Sequence, residues 1–151
     1  MQKISVFFDT NVLIYAHDEL SPFHDKSALL LDLALGKEVV GIISEQNVME
    51  LYRILTNATA MSGKPLSPSE AKSLIEKTYL SGALKVVYPT KSTLKKTIEI
   101  AAQKRLSSAR VFDVRLYVLA QQQGPTYFVT YNIEDFKNLG DLMIKTPDEI
   151  V

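Results

Sequence analysis

Short apolar segments alternate with segments of helical pattern along the chain, and this alternation most constrains the fold. Five apolar segments predict strands at residues 4–8, 38–43, 84–88, 126–130 and 142–145. The first is almost continuously apolar, which is typical of a central strand in a parallel sheet. Strands that alternate with helices form mostly parallel sheets, with helices on both faces and right-handed crossovers. The sequence therefore predicts an α/β protein.

Capping residues, prolines and glycines set the expected ends of the helices. The predicted helices span residues 10–16, 22–35, 44–56, 67–80, 92–105, 107–123 and 132–139, and residues 62–65 are a predicted loop. The predicted N-caps, whose side chains accept hydrogen bonds from the first helical turn, include Ser21, Ser44, Ser67, Asn132 and either Ser107 or Ser108. No internal repeat or linker segment interrupts this pattern.

Size and composition predict one domain over residues 1–151. A chain of this length buries roughly 68–70% of its unfolded surface, which is enough to fold without a disulfide or a structural metal. The chain has no cysteine, so thiolate chemistry is excluded and a reducing compartment is favoured. No apolar segment has the length of a membrane span, and the N-terminus is unlike a signal peptide. We therefore expect a cytoplasmic protein without a membrane partner.

The charge balance gives no global field for nucleic acid. Lysine plus arginine and aspartate plus glutamate each number 17, so the net charge is zero. Basic residues nevertheless outnumber acidic ones between residues 91 and 115. A local basic surface is therefore compatible with the sequence, although an ordinary solvated helix face is the alternative interpretation.

Carboxylates occur at four places that solubility alone does not explain. Asp9 directly follows the first strand, so it is either a site residue or a helix N-cap. Glu50 lies on the shoulder of the apolar stripe of the helix at residues 44–56. Its alternative role is a surface pair with Arg53, which contributes at most about 0.5 kcal/mol.

The other two places are Asp113 and the turn after the fourth strand. Asp113 lies in a segment with apolar residues all round the helix, which predicts burial. A buried carboxylate is costly unless it is paired or bound to a cation, and an ion pair with Arg110 is the simple alternative. Asn132 and Asp135 follow the fourth strand, where a helix-capping pair is the simple alternative.

The predicted topology connects these carboxylates. Open parallel sheets bind ligands beyond the carboxyl ends of their strands, where the strand order reverses. If the first and fourth strands are neighbours there, Asp9, Asn132 and Asp135 converge. Acidic side chains in one crevice repel each other unless a cation neutralises them, and oxygen ligands favour Mg²⁺ or Mn²⁺. Such sites hydrolyse phosphodiesters by activating a water and stabilising the leaving oxygen.

Four segments in this order and spacing resemble the PIN-domain family, and within it the VapC-type toxins of toxin–antitoxin pairs. They are SVFFDTNVLIYA at residues 5–16, SEQNVMELYRIL at 44–55, ARVFDVRLYVLAQQQG at 109–124 and FVTYNIEDF at 128–136. The resemblance implies a three-layer α/β/α sandwich whose five-stranded, mostly parallel sheet has the order 3-2-1-4-5. It also implies a Mg²⁺- or Mn²⁺-dependent endoribonuclease that acts on single-stranded or structured RNA, forms a homodimer and has a cognate antitoxin protein.

The same resemblance assigns roles to individual residues. The first three acids of the family's site correspond to Asp9, Glu50 and Asp113. Many relatives have an aspartate two residues after Thr130, where this chain has Asn132, and Asp135 is the predicted replacement. In this interpretation three aspartates bind the metal, namely Asp9, Asp113 and Asp135. Glu50 positions or deprotonates the attacking water.

Supporting roles follow from the same correspondence. Thr10 and Asn11 fall where the family has a hydroxyl and a bracing amide, and Thr130 matches a hydroxyl that faces the site. Asn132 is a departure from the family's pattern. Four basic side chains are predicted to hold RNA phosphates, namely Lys95, Lys96, Arg110 and Arg115.

Three other interpretations compete with the ribonuclease. A degenerate PIN domain that binds RNA or a partner protein without cleaving is compatible with Asn132. A phosphatase or phosphotransferase with Asp9 as nucleophile is disfavoured, because haloacid-dehalogenase-like enzymes need a second aspartate where this chain has Asn11. A histidine metal site is disfavoured because His17 and His24 lack ligand spacing.

Overall fold

A computed structural model describes residues 2–61 and 63–151 of the chain. Its strands are β1 (Ser5–Phe8), β2 (Val40–Ser44), β3 (Lys85–Val87), β4 (Tyr127–Val129) and β5 (Ile144–Lys145). They form one sheet in the order β3-β2-β1-β4-β5, and every neighbouring pair is parallel. The predicted parallel sheet and its strand order are confirmed. The predicted loop at residues 62–65 includes Ser62, which lies outside the described residues.

Seven α-helices occur in the described part of the chain. They are α1 (Thr10–His17), α2 (His24–Leu35), α3 (Glu45–Leu55), α4 (Pro68–Leu74), α5 (Lys91–Gln103), α6 (Arg110–Gln123) and α7 (Ile133–Phe136). Helix α4 continues into a π-helical segment, Ile75–Tyr79, and a 3₁₀ turn covers Pro147–Glu149. None of the helices in residues 2–61 and 63–151 is long and apolar enough to cross a membrane.

Alternating side chains of the central strand build a hydrophobic core on each face of the sheet. Val6 and Phe8 of β1 belong to the core with α1, α2, α3 and the π-helical segment. Phe7 belongs to the opposite core, with Phe128 of β4 and residues of α5, α6 and α7. Successive strand residues point to opposite faces, so a strand covered on both sides must be apolar throughout. The three-layer α/β/α arrangement is therefore confirmed.

Two predicted helix starts are wrong. Helix α2 begins at His24, because the Ser21 hydroxyl accepts a hydrogen bond from the Phe23 N–H within a turn and does not cap the helix. Helix α6 begins at Arg110, because Ser108 adopts a left-handed backbone conformation with φ of +56°. Local hydrogen bonding and backbone conformation therefore shorten both helices at their N-terminal ends.

The capping predictions had mixed outcomes. Ser44 and Ser67 both form capping boxes, in which the capping side chain and the residue three positions later exchange hydrogen bonds. Asn132 occupies the N-cap position of α7, but its side chain makes no capping hydrogen bond. The explanation of Asn132 and Asp135 as a helix-capping pair is therefore wrong, because no side-chain capping hydrogen bond forms at Asn132.

The carboxyl ends of β1 and β4 lie side by side at the reversal of strand order. Phe8 of β1 is paired with Val129 of β4, and the Asp9 N–H donates to the Val129 carbonyl at 2.9 Å. The sheet therefore brings Asp9 and Thr130, the residues that follow these two strands, to one edge.

Candidate active site

Asp9 is the buried centre of this edge of the sheet. One carboxylate oxygen, Oδ1, accepts the Thr10 N–H at 2.8 Å, and Oδ2 accepts the Thr130 hydroxyl at 2.8 Å. Burial raises the pKa of Asp9 to about 7, against these two hydrogen bonds, and the carboxylates of Glu50 and Asp113 add to the rise. The N-cap explanation is thus partly right, since Asp9 does bind the first N–H of α1. Capping does not account for its burial beside other acids.

Glu50 is joined to the same place through Thr10. The Thr10 hydroxyl donates to Glu50 Oε1 at 2.8 Å, and the Asn47 amide donates to the Thr10 hydroxyl at 2.9 Å. Asn47 also donates to the Phe8 carbonyl at 3.2 Å. These bonds fasten α3 to the junction of β1 and α1. None of the ion pairs in the described residues joins Glu50 to Arg53, so the surface-pair explanation is not supported.

Asn47 is a site residue that sequence reasoning missed. It is fully buried, and its Oδ1 accepts hydrogen bonds from the backbone N–H and the hydroxyl of Ser44. A polar residue three positions after a predicted N-cap is the one sequence feature that could have indicated it. That feature predicts only the local capping bond and not the reach across to Thr10.

Asp113 lies in the first turn of α6 and forms the predicted ion pair. Its Oδ2 accepts the Arg110 Nε–H at 3.0 Å. Burial raises the pKa of Asp113, Arg110 opposes the rise, and the carboxylates of Asp135 and Glu50 increase it. The predicted burial of this helix holds for its apolar residues from Val114 onward but not in its first turn, where the neighbouring Phe112 is 57% exposed. Asp113 is therefore a half-buried acid that is electrostatically coupled to the other carboxylates.

Arg110 also ties the turn after β4 to helix α6. Its Nη2 donates to the backbone carbonyl of Asp135 at 2.7 Å. The Asn132 N–H donates to the Thr130 hydroxyl at 2.9 Å, while the Asn132 side chain is exposed. The backbone of this turn is therefore anchored to Thr130 and Arg110. Asp135 contributes a half-buried carboxylate close enough to affect Asp113.

Asn11 has unsatisfied hydrogen-bonding groups beside this cluster. Both its amide nitrogen and its amide oxygen are buried, and neither has a hydrogen-bond partner within the described structure. Buried polar atoms in native proteins are normally paired with protein or water. The Asn11 amide is therefore available to an additional group, and its bracing role at the site stays a prediction.

The chemistry of these residues fits a divalent cation. Asp9, Glu50, Asp113 and Asp135 present only oxygen atoms, the ligands that Mg²⁺ and Mn²⁺ favour. Burial is the main cause of the raised pKa values of Asp9 and Asp113, and the neighbouring carboxylates add to both shifts. A bound cation would stabilise the charged carboxylates against both effects. Across residues 2–61 and 63–151, no three His, Cys, Asp or Glu side chains form a ready-made ligand set. In this arrangement Asp113 is paired with Arg110.

The other predicted basic residues form no ion pair with the four acids of the candidate site in the described part of the chain. Arg115 donates to Glu45 at 2.9 Å and to the Gln46 side chain at 2.7 Å, so its guanidinium joins α3 to α6. Lys95 and Lys96 are exposed on α5. Each histidine pairs with a protein group, His17 with the Tyr79 hydroxyl and His24 with the Tyr15 carbonyl. The structure gives no support to a histidine metal site.

Comparison with known proteins assigns the chain to a class. A family model described as "PIN domain" matches residues 6–142, and the chain belongs to the PIN-domain family. Among individual proteins, the chain is similar to Ribonuclease VapC24 of Mycobacterium tuberculosis. The two are 31% identical over 132 residues, which cover 87% of this chain and 89% of that protein.

Solved structures agree with this assignment at the level of the fold. DNA-bound VapBC from Salmonella typhimurium matches with a TM-score of 0.68 at 18% identity, covering 95% of this chain and 98% of that chain. VapBC2 from Rickettsia felis, bound to a promoter DNA fragment, matches with a TM-score of 0.65 at 18% identity and the same coverage. The Mycobacterium tuberculosis toxin VapC20, described as cleaving the sarcin–ricin loop, matches with a TM-score of 0.63 at 13% identity. The match covers 86% of this chain and 92% of that chain.

Proposed function

We propose that this PIN-domain protein is a metal-dependent endoribonuclease and the toxin of a VapBC-type toxin–antitoxin pair. The supporting similarity is the 31% identity to Ribonuclease VapC24 over most of both chains. The single observation that carries the proposal is Asp9, buried at the carboxyl end of β1, with its pKa raised to about 7 by burial and by neighbouring carboxylates. Such a site favours a divalent cation, and carboxylate-bound cations hydrolyse phosphodiesters.

Asp9, Asp113 and Asp135 are the residues that we assign to the cation, Mg²⁺ or Mn²⁺. When bound, such a cation acts as a Lewis acid that lowers the pKa of water and stabilises charge on a phosphate. The Thr130 hydroxyl holds Oδ2 of Asp9, and the Thr10 N–H holds Oδ1, so this carboxylate has a fixed orientation. Preorganised groups of this kind need little rearrangement during the reaction.

Glu50 is the residue that we assign to the attacking water. Thr10 holds Oε1 of Glu50, and Asn47 holds Thr10, so the carboxylate is oriented through two successive hydrogen bonds. The other oxygen, Oε2, accepts a proton from the water as it attacks the phosphorus. The bond from phosphorus to the 3′ oxygen breaks, and this oxygen takes a proton from solvent to become the 3′-hydroxyl. The attacking oxygen remains on the 5′-phosphate, and Glu50 returns its proton to solvent.

A cleavage assay with controlled metal tests this proposal. We expect the purified protein to cleave a mixed-sequence RNA in Mn²⁺ or Mg²⁺. It should lose all cleavage in excess chelator, because the carboxylates of the site need a bound cation to neutralise their charge. Gel electrophoresis of end-labelled RNA measures the products and their termini. RNA that stays intact in every condition but is retained by the protein would instead favour the degenerate, binding-only PIN domain.

The turn after β4 provides a separate prediction about the fourth acid. We expect Asp135→Asn to lower the cleavage rate by about 10- to 100-fold, since one carboxylate of the cation site is lost. Glu134→Gln is the matched control, because it removes a neighbouring exposed carboxylate and should leave the cleavage rate unchanged. An Asp135→Asn protein with the parent's cleavage rate would contradict the role given to Asp135.

We also propose two protein partners, a cognate antitoxin and a second copy of this chain. The solved relatives described as VapBC support the first. An apolar groove of about 670 Å³ between α3 and residues 68–80 exposes Met49, Tyr52 and Leu80, and such surfaces commonly mark protein interaction sites. Helix α5 exposes Leu94 and Ile98 one turn apart, which gives an apolar strip for the second copy.

A further inference from the structure

A cavity of about 730 Å³ lies beside the carboxylates, between α3 and the start of α6. Two of its lining residues, Glu50 and Asp113, belong to the candidate active site. Its volume is within the range of ligand-binding pockets, roughly 300–1,000 Å³. Whatever occupies this cavity therefore lies directly next to the reacting groups.

Two exposed apolar side chains line the cavity from different helices. Met49 of α3 is 71% exposed and Phe112 of α6 is 57% exposed. Single exposed apolar residues are common, but these two share one cavity with the carboxylates. An aromatic ring in an open groove is the usual stacking surface for an unpaired base, and a thioether packs well against aromatic rings.

Arg53 supplies positive charge at the same cavity. It lies one helical turn after Glu50 on α3, it is exposed, and it is absent from the ion pairs of the described residues. Arg110 also lines the cavity, but its guanidinium is already bound to Asp113 and to the Asp135 carbonyl. The Arg53 guanidinium is therefore the cation available to a phosphate.

We propose that this cavity binds one unpaired nucleotide of the RNA, next to the phosphate that is cleaved. The base packs on Phe112 and Met49, and Arg53 contacts a flanking phosphate. This inference rests on the proposed ribonuclease function and adds the side chains that hold the nucleotide, Phe112, Met49 and Arg53. A base in a duplex is stacked and paired and is not free to enter, whereas a single strand or a loop presents it at little cost. Because every base has a flat face, stacking selects unpaired nucleotides and not a particular base.

A binding experiment that is independent of cleavage tests the proposal. The Asp9→Asn protein, in chelator, is titrated into a fluorescein-labelled single-stranded RNA and into the matching duplex, and anisotropy gives the Kd. Adding Phe112→Ala should weaken single-strand binding by about tenfold, as expected for the loss of one stacked base. Duplex binding should not change. Leu20→Ala, which truncates an exposed apolar side chain elsewhere, is the matched control and should have no effect.

Two further variants separate stacking from charge. Phe112→Trp should restore single-strand binding, and because the chain has no other tryptophan, RNA should quench the fluorescence of this one. Arg53→Ala should weaken binding and reduce the slope of log Kd against log salt by about 0.7, the value for one phosphate contact to a single strand. Lys85→Ala, an exposed lysine on β3, should leave the slope unchanged.

The outcomes distinguish this proposal from the proposed activity. If Phe112→Ala and Arg53→Ala both bind single-stranded RNA like their parent, the nucleotide site is wrong even if the wild type cleaves RNA. If Phe112→Ala changes only the oligomeric state in size-exclusion chromatography with light scattering, the cavity is a contact between copies and the proposal is overturned. If the variants lose single-strand binding but the wild type never cleaves, the nucleotide site is supported and the catalytic proposal fails.

Discussion

Asp9→Asn is expected to slow RNA cleavage severely while making the folded protein more stable at pH 8. The carboxylate is the buried centre of the site, and its loss should lower the cleavage rate about a thousandfold, which corresponds to about 4 kcal/mol of lost transition-state stabilisation. The same carboxylate destabilises the fold when it is charged, because burial and neighbouring carboxylates raise its pKa to about 7. Function and stability therefore make opposite demands at this position.

The pH dependence of stability follows from the direction of that pKa shift. Between pH about 4 and about 7, the folded protein holds the Asp9 proton and the unfolded chain has released it, so stability falls as pH rises. A shift of this size corresponds to at most about 4 kcal/mol above pH 7. Asp9→Asn removes the penalty, so its advantage over the parent should be about 2 kcal/mol larger at pH 8 than at pH 5.

Urea denaturation of parent and variant at both pH values measures this effect. Asp25→Asn, which alters an exposed aspartate on α2, is the matched control and should change stability by less than about 0.5 kcal/mol. A variant that is less stable than the parent at pH 8 would show that the hydrogen bonds to Thr10 and Thr130 outweigh the burial of the charge.

Added cation should reduce the difference in stability between the parent and Asp9→Asn. A ligand that binds only the folded protein stabilises it by about 2.7 kcal/mol at a hundred times its Kd. Mg²⁺ or Mn²⁺ should therefore raise the Tm of the parent and leave that of Asp9→Asn nearly unchanged. This measurement requires no RNA, so it tests the cation site separately from cleavage. Equal shifts for both proteins would contradict the assignment of Asp9 to the cation.

The sheet and the position of Asp9 were predictable because they depend on pattern alone. Continuous apolar segments that alternate with helices require a parallel sheet, and a carboxylate that directly follows an apolar strand lies at the strand's carboxyl end. The strand order came from the family resemblance and is confirmed by the pairing of β1 with β2 and β4. The ion pair of Arg110 with Asp113 was also predictable, because residues three apart on a helix are neighbours.

The connections between the acids could not be predicted in the same way. Glu50 contacts Thr10, 40 residues away in sequence, only because α3 packs on the start of α1 in one particular register. Arg115 was predicted to hold phosphate, but the packing of α6 against α3 places its guanidinium on Glu45. The start of α6 depends on the left-handed conformation of Ser108, which a serine does not indicate. Each of these depends on tertiary packing and not on local pattern.

Asn47→Ala is expected to cause the largest loss of stability, about 3–5 kcal/mol, because Asn47 links three chain segments inside the protein. Its amide nitrogen donates to Phe8 and Thr10, and its oxygen accepts from Ser44. Truncation leaves several of these groups buried without a partner, and each unsatisfied group costs about 1–3 kcal/mol. Total stabilities are only about 5–15 kcal/mol, so a substantial fraction of molecules should unfold on mild heating.

Thr10→Val separates this structural role of Asn47 from its effect on Glu50. Valine keeps the shape of threonine but cannot donate to Glu50, so we expect a stability loss of only about 1–2 kcal/mol and a clear fall in kcat with little change in KM. Urea denaturation and RNA cleavage kinetics measure the two effects, with Asn138→Ala on the exposed surface as a control for asparagine loss. If Asn47→Ala unfolds at the parent's urea concentration and cleaves at the parent's rate, these hydrogen bonds neither hold α3 on the sheet nor orient Glu50. If instead Thr10→Val loses activity while remaining stable, the hydrogen bonds from Asn47 to Thr10 and from Thr10 to Glu50 serve to orient the Glu50 carboxylate.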